Sequence, residues 1–220
     1  QANFTLPEVT VRAPRHPSRV AKNVMTGDES RTVPGTGGDP LKALQALPGV
    51  ATGSDVQSAP AIRGSRPEDN IYYVDALPVG YLFHMGGIVS VLNNDLVDSF
   101  NLHGAAFGPE YGDVTGAAID VTLRNPRSDR FGAKLNLSLI AVDALLEGPV
   151  TGTQGFFLSA RRSNLEPVFK FMNTTRNGET IEVPRYYDYQ GKYVWQASDA
   201  HTLTAHVNGA ADTVTFVLTD

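Results

Sequence analysis

The sequence predicts an α+β domain followed by an antiparallel sheet, and three observations carry that prediction. Residues 39–126 combine one short helical pattern with brief strand runs, each cut off by glycine or proline. After Pro126 the texture changes to an alternation of period two, apolar on one face and polar on the other. The composition fits both halves: 220 residues, 41% hydrophobic, 19% charged and a net charge of −5. The mild acidity argues against nucleic acid, which needs a basic footprint. With no cysteine there is neither a disulfide framework nor a thiolate metal site. No apolar run approaches the ~18 residues of a membrane helix.

Taken in order, the chain opens on a strand-like stretch. Val9, Val11 and Ala13 alternate with Glu8, Thr10 and Arg12, while Pro7 and Pro14 bracket the run and bar it from a central place in a sheet. On its own such a stretch reads as a solvated tail. Residues 15–38 are rich in proline, glycine, serine, threonine and charge, and read as a linker. Gly35-Thr36-Gly37-Gly38 has no strand before it and no Gly-Lys-Ser/Thr ending, so it is not a phosphate loop.

The next stretch is a helix with a hard stop. Asp39 is an N-cap acceptor, Pro40 suits the first turn, and Leu41, Leu44 and Leu47 recur at helical spacing. Pro48-Gly49 ends it. Residues 61–63 and 71–76 read as strands around the polar loop 64–70, and a glycine-punctuated turn feeds a strand over 117–123. The stretch VGYLFHMGG sets Tyr81, Leu82, Phe83, His84 and Met85 in a glycine-flanked loop. Large apolar residues there mark either a contact site or burial against a neighbouring wall. His84-Met85 by itself is too few donors for a metal.

Beyond Pro126, Phe131, Ala133, Leu135, Leu137, Leu139 and Ala141 fall on one face, with Lys134, Asn136 and Ser138 on the other. This gives a strand over 135–144, a turn at Glu147-Gly148-Pro149 and 151–155, and a second strand over 156–162. Tyr187, Tyr189, Tyr193 and Trp195 alternate with Asp188, Gln190 and Lys192 over 186–197. A tight turn at Ser198-Asp199-Ala200 leads to a strand over 201–211, and a longer polar connection covers 163–185. Short turns at one end and a long loop at the other suit a membrane barrel, although a half-buried soluble sheet gives the same alternation.

Four motifs in fixed order then identify a family. Pro48-Gly49-Val50, Ile62-Arg63-Gly64, Val74-Asp75-Ala76 with Pro78, and Tyr111-Gly112 followed by GAAIDV and the Arg124-Asn125-Pro126 exit resemble the plug domain of TonB-dependent outer-membrane receptors. The family usually has glycine where Ala76 stands. It also often has an Arg-Gly-Pro turn where this chain reads LHGAAFGP.

The resemblance implies an α+β plug at 39–126, a periplasmic TonB box and flexible linker at 1–38, and the first strands of an incomplete transmembrane β-barrel at 127–220. Glu8, Val9, Thr10, Val11 and Arg12 become the TonB-binding segment, pairing by strand addition. Loops 52–58, 65–70 and 79–87 become ligand-facing, with Asp55, Gln57, Arg66, Glu68, Tyr81, Phe83 and His84 as contacts. Arg63 becomes a plug–barrel anchor held by acidic wall residues. The implied partners are TonB, outer-membrane lipid and a small-molecule or metal-chelate ligand, with no cofactor. The implied place is the bacterial outer membrane, with the N-terminus in the periplasm.

Four strands are legible after Pro126, whereas a plugged transporter barrel has roughly 22, each of about 10 residues. The chain is therefore expected to be the N-terminal part of a longer protein, and its opening, which lacks a basic-then-apolar leader, to be a mature end. No HExxH, GxSxG or post-strand GxGxxG is present, so no catalytic residue is assigned. The other class of function is a structural or docking subunit of an envelope complex that reuses the same fold. The expected plug core is Leu41, Leu44, Leu47, Ile62, Ile71, Val74, Ile119 and Val121. Leu135, Leu137, Leu139, Tyr193 and Trp195 are expected to point away from it.

Overall fold

The computed structural model describes residues 22–80, 82–105, 107–167, 175–176, 179–180 and 183–214. Before Pro126 the elements are β1 (Lys22–Thr26), α1 (Gly27–Thr32), a 3-10 turn at Lys42–Ala46, β2 (Val50–Ala51), β3 (Ala61–Ile62), a 3-10 turn at Pro67–Asp69, β4 (Ile71–Val74), β5 (Leu77–Val79), β6 (Phe83–His84), β7 (Val89–Ser90), a 3-10 turn at Asn94–Leu96, β8 (Val97–His103) and β9 (Ala118–Leu123). After it come β10 (Gly132–Leu137), β11 (Ala141–Thr151), β12 (Gln154–Ser163), the short β13 (Thr175–Arg176) and β14 (Glu179–Thr180), β15 (Arg185–Ser198) and β16 (His201–Thr213). The first group forms a mixed sheet in the order β1-β8-β9-β4-β5, in which β4 and β9 run parallel. The second forms an antiparallel sheet in the order β10-β11-β12-β15-β16.

Part of the expected linker is built into the first sheet. β1 pairs antiparallel along β8, from Lys22 opposite His103 to Thr26 opposite Ser99. α1 follows on a capping box: Thr26 Oγ1 accepts from the Glu29 N–H at 3.2 Å, and Glu29 Oε2 accepts from the Thr26 N–H at 2.7 Å. Those bonds, the backbone one first, hold the exposed Glu29 carboxyl below the usual carboxylate range. A Cβ on Gly27 would stand 2.1 Å from the Val97 carbonyl oxygen, so only glycine lets α1 approach β8 this closely. The composition around 22–32 hides these elements because the strand is short and the helix has six residues.

Asp39 does more than the expected capping. Its Oδ1 accepts from the Leu41 and Lys42 N–H groups at 3.0 and 3.2 Å. Its Oδ2 accepts from Ser58 Oγ at 2.8 Å and the Ser90 N–H at 2.7 Å. One carboxylate thus starts the 3-10 turn and ties it to β7. The turn stops where Leu47 becomes extended and Gly49 takes a φ of 78°.

Of the expected core, Leu41, Leu44, Ile62, Val74, Ile119 and Val121 are buried, while Leu47 and Ile71 are partly covered. Tyr72, Phe100 and Leu102 fill the space between them. Tyr111 of the Tyr-Gly motif packs edge-on to Tyr73 at 5.2 Å and donates to Asp120 Oδ2 at 3.4 Å. Burial, then the Asp120 charge, pushes its pKa up to about 12, so the hydroxyl stays a donor.

The second sheet has five strands, where four were expected. The expected strand over 135–144 is broken by a reverse turn. Ser138 Oγ accepts from the N–H groups of Ile140 and Ala141 at 3.2 and 2.9 Å, and the Ser138 N–H donates to the Ala141 carbonyl at 2.9 Å. Leu139 and Ile140 extend the apolar run through the turn and conceal it. Conversely, Glu147-Gly148-Pro149 is not a turn but lies inside β11, opposite Phe157, Phe156 and Gly155. A register shift between Pro149 and Thr151 accommodates the proline, which has no N–H to offer the ladder.

The two faces of this sheet divide by chemistry. Leu135 and Leu137 are 64% and 73% exposed on the side away from the first sheet, and Leu139, Leu158, Tyr187, Trp195 and Leu203 are exposed as well. Tyr193 is half-buried. Asp188 and Lys192, from alternate positions of β15, are 3% and 7% exposed.

The β4–β5 hairpin yields a prediction. Val74 pairs with Leu77, and Asp75 and Ala76 between them have φ of 49° and 64°, a two-residue turn with both central residues left-handed. Ala76 carries a Cβ where glycine has none. Ala76→Gly should therefore raise stability by about 1 kcal/mol, and Ala76→Val should lower it by at least as much. Thermal unfolding midpoints of the three proteins check the order.

Candidate functional site: the seam between the two sheets

Polar side chains from β11, β12, β15 and β16 turn inward and meet the ends and loops of the first unit. Near β6 and β7, His84 is 1% exposed. Its Nε2 lies 3.0 Å from Asp188 Oδ2 and its Nδ1 lies 2.5 Å from Asp212 Oδ1. The Met85 N–H donates to Asp212 Oδ2 at 2.7 Å. Arg161 Nε donates to Asp188 Oδ2 at 2.7 Å, and the same guanidinium reaches the Ser90 carbonyl.

A neutral cluster follows. Gln190 Oε1 accepts from the Asn93 N–H at 3.1 Å, and Gln190 Nε2 donates to the Val91 carbonyl. Asn93 Nδ2 donates to Ser159 Oγ at 2.8 Å. Asn93 Oδ1 meanwhile caps the next 3-10 turn through the Asp95 N–H.

The third cluster lies where the chain leaves the first sheet. Arg124 makes a two-pronged pair with Glu147, NH1 to Oε2 at 2.6 Å and NH2 to Oε1 at 2.9 Å, and its Nε donates to the Asp95 carbonyl at 2.7 Å. Lys134 Nζ lies 2.8 and 2.7 Å from the two Asp95 oxygens. Lys192 Nζ donates to the Leu123 carbonyl at 2.9 Å and makes an ion contact of 2.9 Å with Asp75 Oδ2. Asp75 Oδ1 accepts from the Leu123 N–H, so the β4–β5 turn is fixed to β9 and to the second sheet together.

The sequence-predicted residues divide against this geometry. Glu8, Val9, Thr10, Val11 and Arg12 lie outside the described residues, as does Tyr81. Asp55, Arg66 and Glu68 are exposed on their loops, and Gln57 is half-buried. Phe83 and His84, expected to face a ligand, form β6 and are buried, because the loop folds into a short ladder with β7: Phe83 packs in the plug core edge-on to Tyr72 and His84 enters the seam. Both His84 nitrogens are engaged by carboxylates, which leaves neither for a metal.

Arg63, the expected anchor, meets no acidic wall residue among those described. It is exposed, sits at a left-handed φ of 52° and makes no ion pair among the described residues. The cations that do tie the two units are Arg124, Lys134, Arg161 and Lys192. Sequence reading did not assign them, nor Asp188, Asp212 and Glu147. Their signal was present as the polar phase of the strand alternation and as the Arg-x-Pro exit. Partners so far apart in the chain cannot be read from spacing.

No family model and no curated protein matches the chain. Solved structures do. The siderophore receptor PirA of Pseudomonas aeruginosa aligns with a TM-score of 0.60 at 18% identity, covering 92% of this chain and 34% of that one. PirA of Acinetobacter baumannii gives 0.61 at 16% identity over 88% and 32%. The outer membrane transporter YddB of Escherichia coli gives 0.58 at 16% over 87% and 33%. The chain has the fold of TonB-dependent receptors: a plug docked on antiparallel wall strands. It spans about a third of the length of these structures, which are receptors and a transporter, not enzymes.

The Arg124–Glu147 pair supplies the test of the seam. Glu147→Ala leaves a guanidinium partly buried without its counter-charge and should cost about 3 kcal/mol of stability. Replacing both partners with methionine should recover most of that loss. A double-mutant cycle on unfolding free energies measures the coupling.

Proposed function

We propose that the chain is the plug and first wall strands of an outer-membrane receptor that imports a scarce ligand, a metal–siderophore complex being the favoured cargo. The observation that carries this reading is the inverted second sheet. Leu135, Leu137, Leu158 and Leu203 are exposed on it while Glu147, Asp188 and Lys192 are buried against the plug, beside Leu145 and Phe157, as lipid outside and a polar lumen inside require. A soluble sheet would bury Leu135, Leu137 and Trp195 instead. The names of the matched siderophore receptors support the cargo class. The edges of the sheet at β10 and β16 support a wall completed by further strands, since lipid tolerates no unpaired backbone.

In this reading residues 39–126, extended by 22–38, are the plug, and residues 127–220 begin the barrel. Asp55, Gln57, Arg66, Glu68 and Tyr81 remain the ligand-facing candidates. Energy comes from the inner membrane through TonB, which pairs with Glu8, Val9, Thr10, Val11 and Arg12 in the periplasm.

Strand addition rests on backbone bonds, so removing an N–H should matter more than changing a side chain. Val11→Pro deletes a donor and restrains Thr10, costing more than the ~1 kcal/mol of one ladder bond. Thr10→Ala leaves the backbone intact. Energised uptake of a ferric siderophore by the whole receptor should fall for Val11→Pro alone, with ligand affinity unchanged in both. Normal uptake by the proline variant would sink the TonB-box assignment.

A further inference from the structure

We propose that the outer face of the second sheet carries a seat for one anionic lipid, its acyl chain in a hollow over Ala144 and Ala160 and its phosphate on Arg162. The inference rests on the reading of this sheet as a membrane wall and holds whatever the cargo. The hollow has its cause in the register. Ala144 of β11 and Ala160 of β12 are cross-strand partners, and the same row continues to Leu135 of β10 on one side and Tyr189 of β15 on the other. Two small residues between two large ones leave a gap, and their neighbours do not close it. The Tyr189 ring lies over Gly209 of β16, where an added Cβ would meet it at 2.5 Å, and Leu158 leans over Gly191, where a Cβ would stand 2.8 Å from its Cδ2. What remains is an apolar hollow of about 590 Å³, within the range of small-molecule sites. Past Ala144 and Ala160 it continues to Val142 and Arg162.

Charge and height select the occupant. Arg162 stands two positions beyond Ala160 on the same face of β12, is exposed, and makes no ion pair among the described residues. The carboxylate that lines this end, Glu166, lies 3.7 Å from Arg185 instead. An apolar trough that ends on an uncompensated cation is complementary to an amphiphile with an anionic head. The far end of the face carries Trp195, opposite Gln154, eight residues before Arg162 on β12. At ~3.3 Å per residue and a tilt of roughly 40°, that separation spans about 20 Å of bilayer, close to the ~25 Å apolar band of such walls. Tyr187, the cross-strand partner of Arg162, and Trp195 therefore mark the two interfaces. Arg162 stands at the level of lipid phosphates, and the hollow beneath it at the level of acyl chains.

The test offers phosphatidylglycerol and phosphatidylcholine of the same chains to the whole receptor in detergent and counts retained lipid by native mass spectrometry. The wild-type receptor should hold one phosphatidylglycerol with roughly fivefold preference, the gain of one basic side chain at an anionic surface. Arg162→Gln should abolish the preference, and Arg162→Lys should keep most of it. Ala160→Leu, which fills the hollow, should lower retention of both lipids. Equal retention of the two lipids by the wild type, an unchanged preference in Arg162→Gln, or displacement of the lipid by inorganic phosphate alone would overturn the seat. A whole receptor that stays soluble without detergent removes the membrane reading of the wall and the seat with it. One that takes up a ferric siderophore yet shows no lipid preference loses the seat alone.

Discussion

A sheet that turns its apolar side chains outward has to bury polar ones, and buried charges must be compensated where they lie. That constraint runs through the whole molecule. Asp188, Lys192 and Glu147 face inward at alternate strand positions, and each meets a partner: His84 and Arg161, Asp75, and Arg124. Such pairs need not add stability compared with apolar packing, because desolvation offsets much of their attraction. Their effect is on alternatives. A one-residue slip of β15 would turn Asp188, Gln190 and Lys192 to the outer face and bring Tyr187 and Tyr189 inside, so register and docking are specified together.

The plug's own folding devices end at the same seam. Asp75 belongs to the β4–β5 turn, accepts from Leu123 of β9 and faces Lys192 of the wall. Asn93 caps a 3-10 turn with its Oδ1 while its Nδ2 reaches Ser159. Asp39 begins another turn and fixes Ser90, whose carbonyl receives Arg161. Each of these residues closes a local turn and positions a group that the wall recognises. The core of Leu41, Leu44, Tyr72, Phe100 and Ile119 holds the plug together, but its polar turns determine where it sits.

Much of this was legible along the chain. The stop at Pro48-Gly49, the core leucines and the strand alternation beyond Pro126 are local patterns, set by backbone conformation and side-chain period, whereas the strand read over 71–76 stops at Val74 and turns at Asp75-Ala76. Where the sequence reading failed, one local signal overlay another. Leu139 and Ile140 continued an apolar phase through a turn that Ser138 makes. Glu147-Gly148-Pro149 has the composition of a turn, yet a bulge carries it through a strand. Thr26 and Glu29 form a capping box within residues whose average composition is that of a linker.

The sequence alone determined the class of fold, the outward phase of β10 and β15 and the stop at Pro48-Gly49, because these depend on neighbours within a few residues. Only the tertiary structure decided which charges meet. His84 and Asp212 are 128 residues apart in sequence, Lys192 and Leu123 are 69, and no spacing rule links them. It also distinguished Arg63, which is exposed, from Arg124, which stands where the chain leaves β9 and pairs with Glu147 of β11. Position relative to the seam, which exists only when plug and wall are packed together, separates the two arginines.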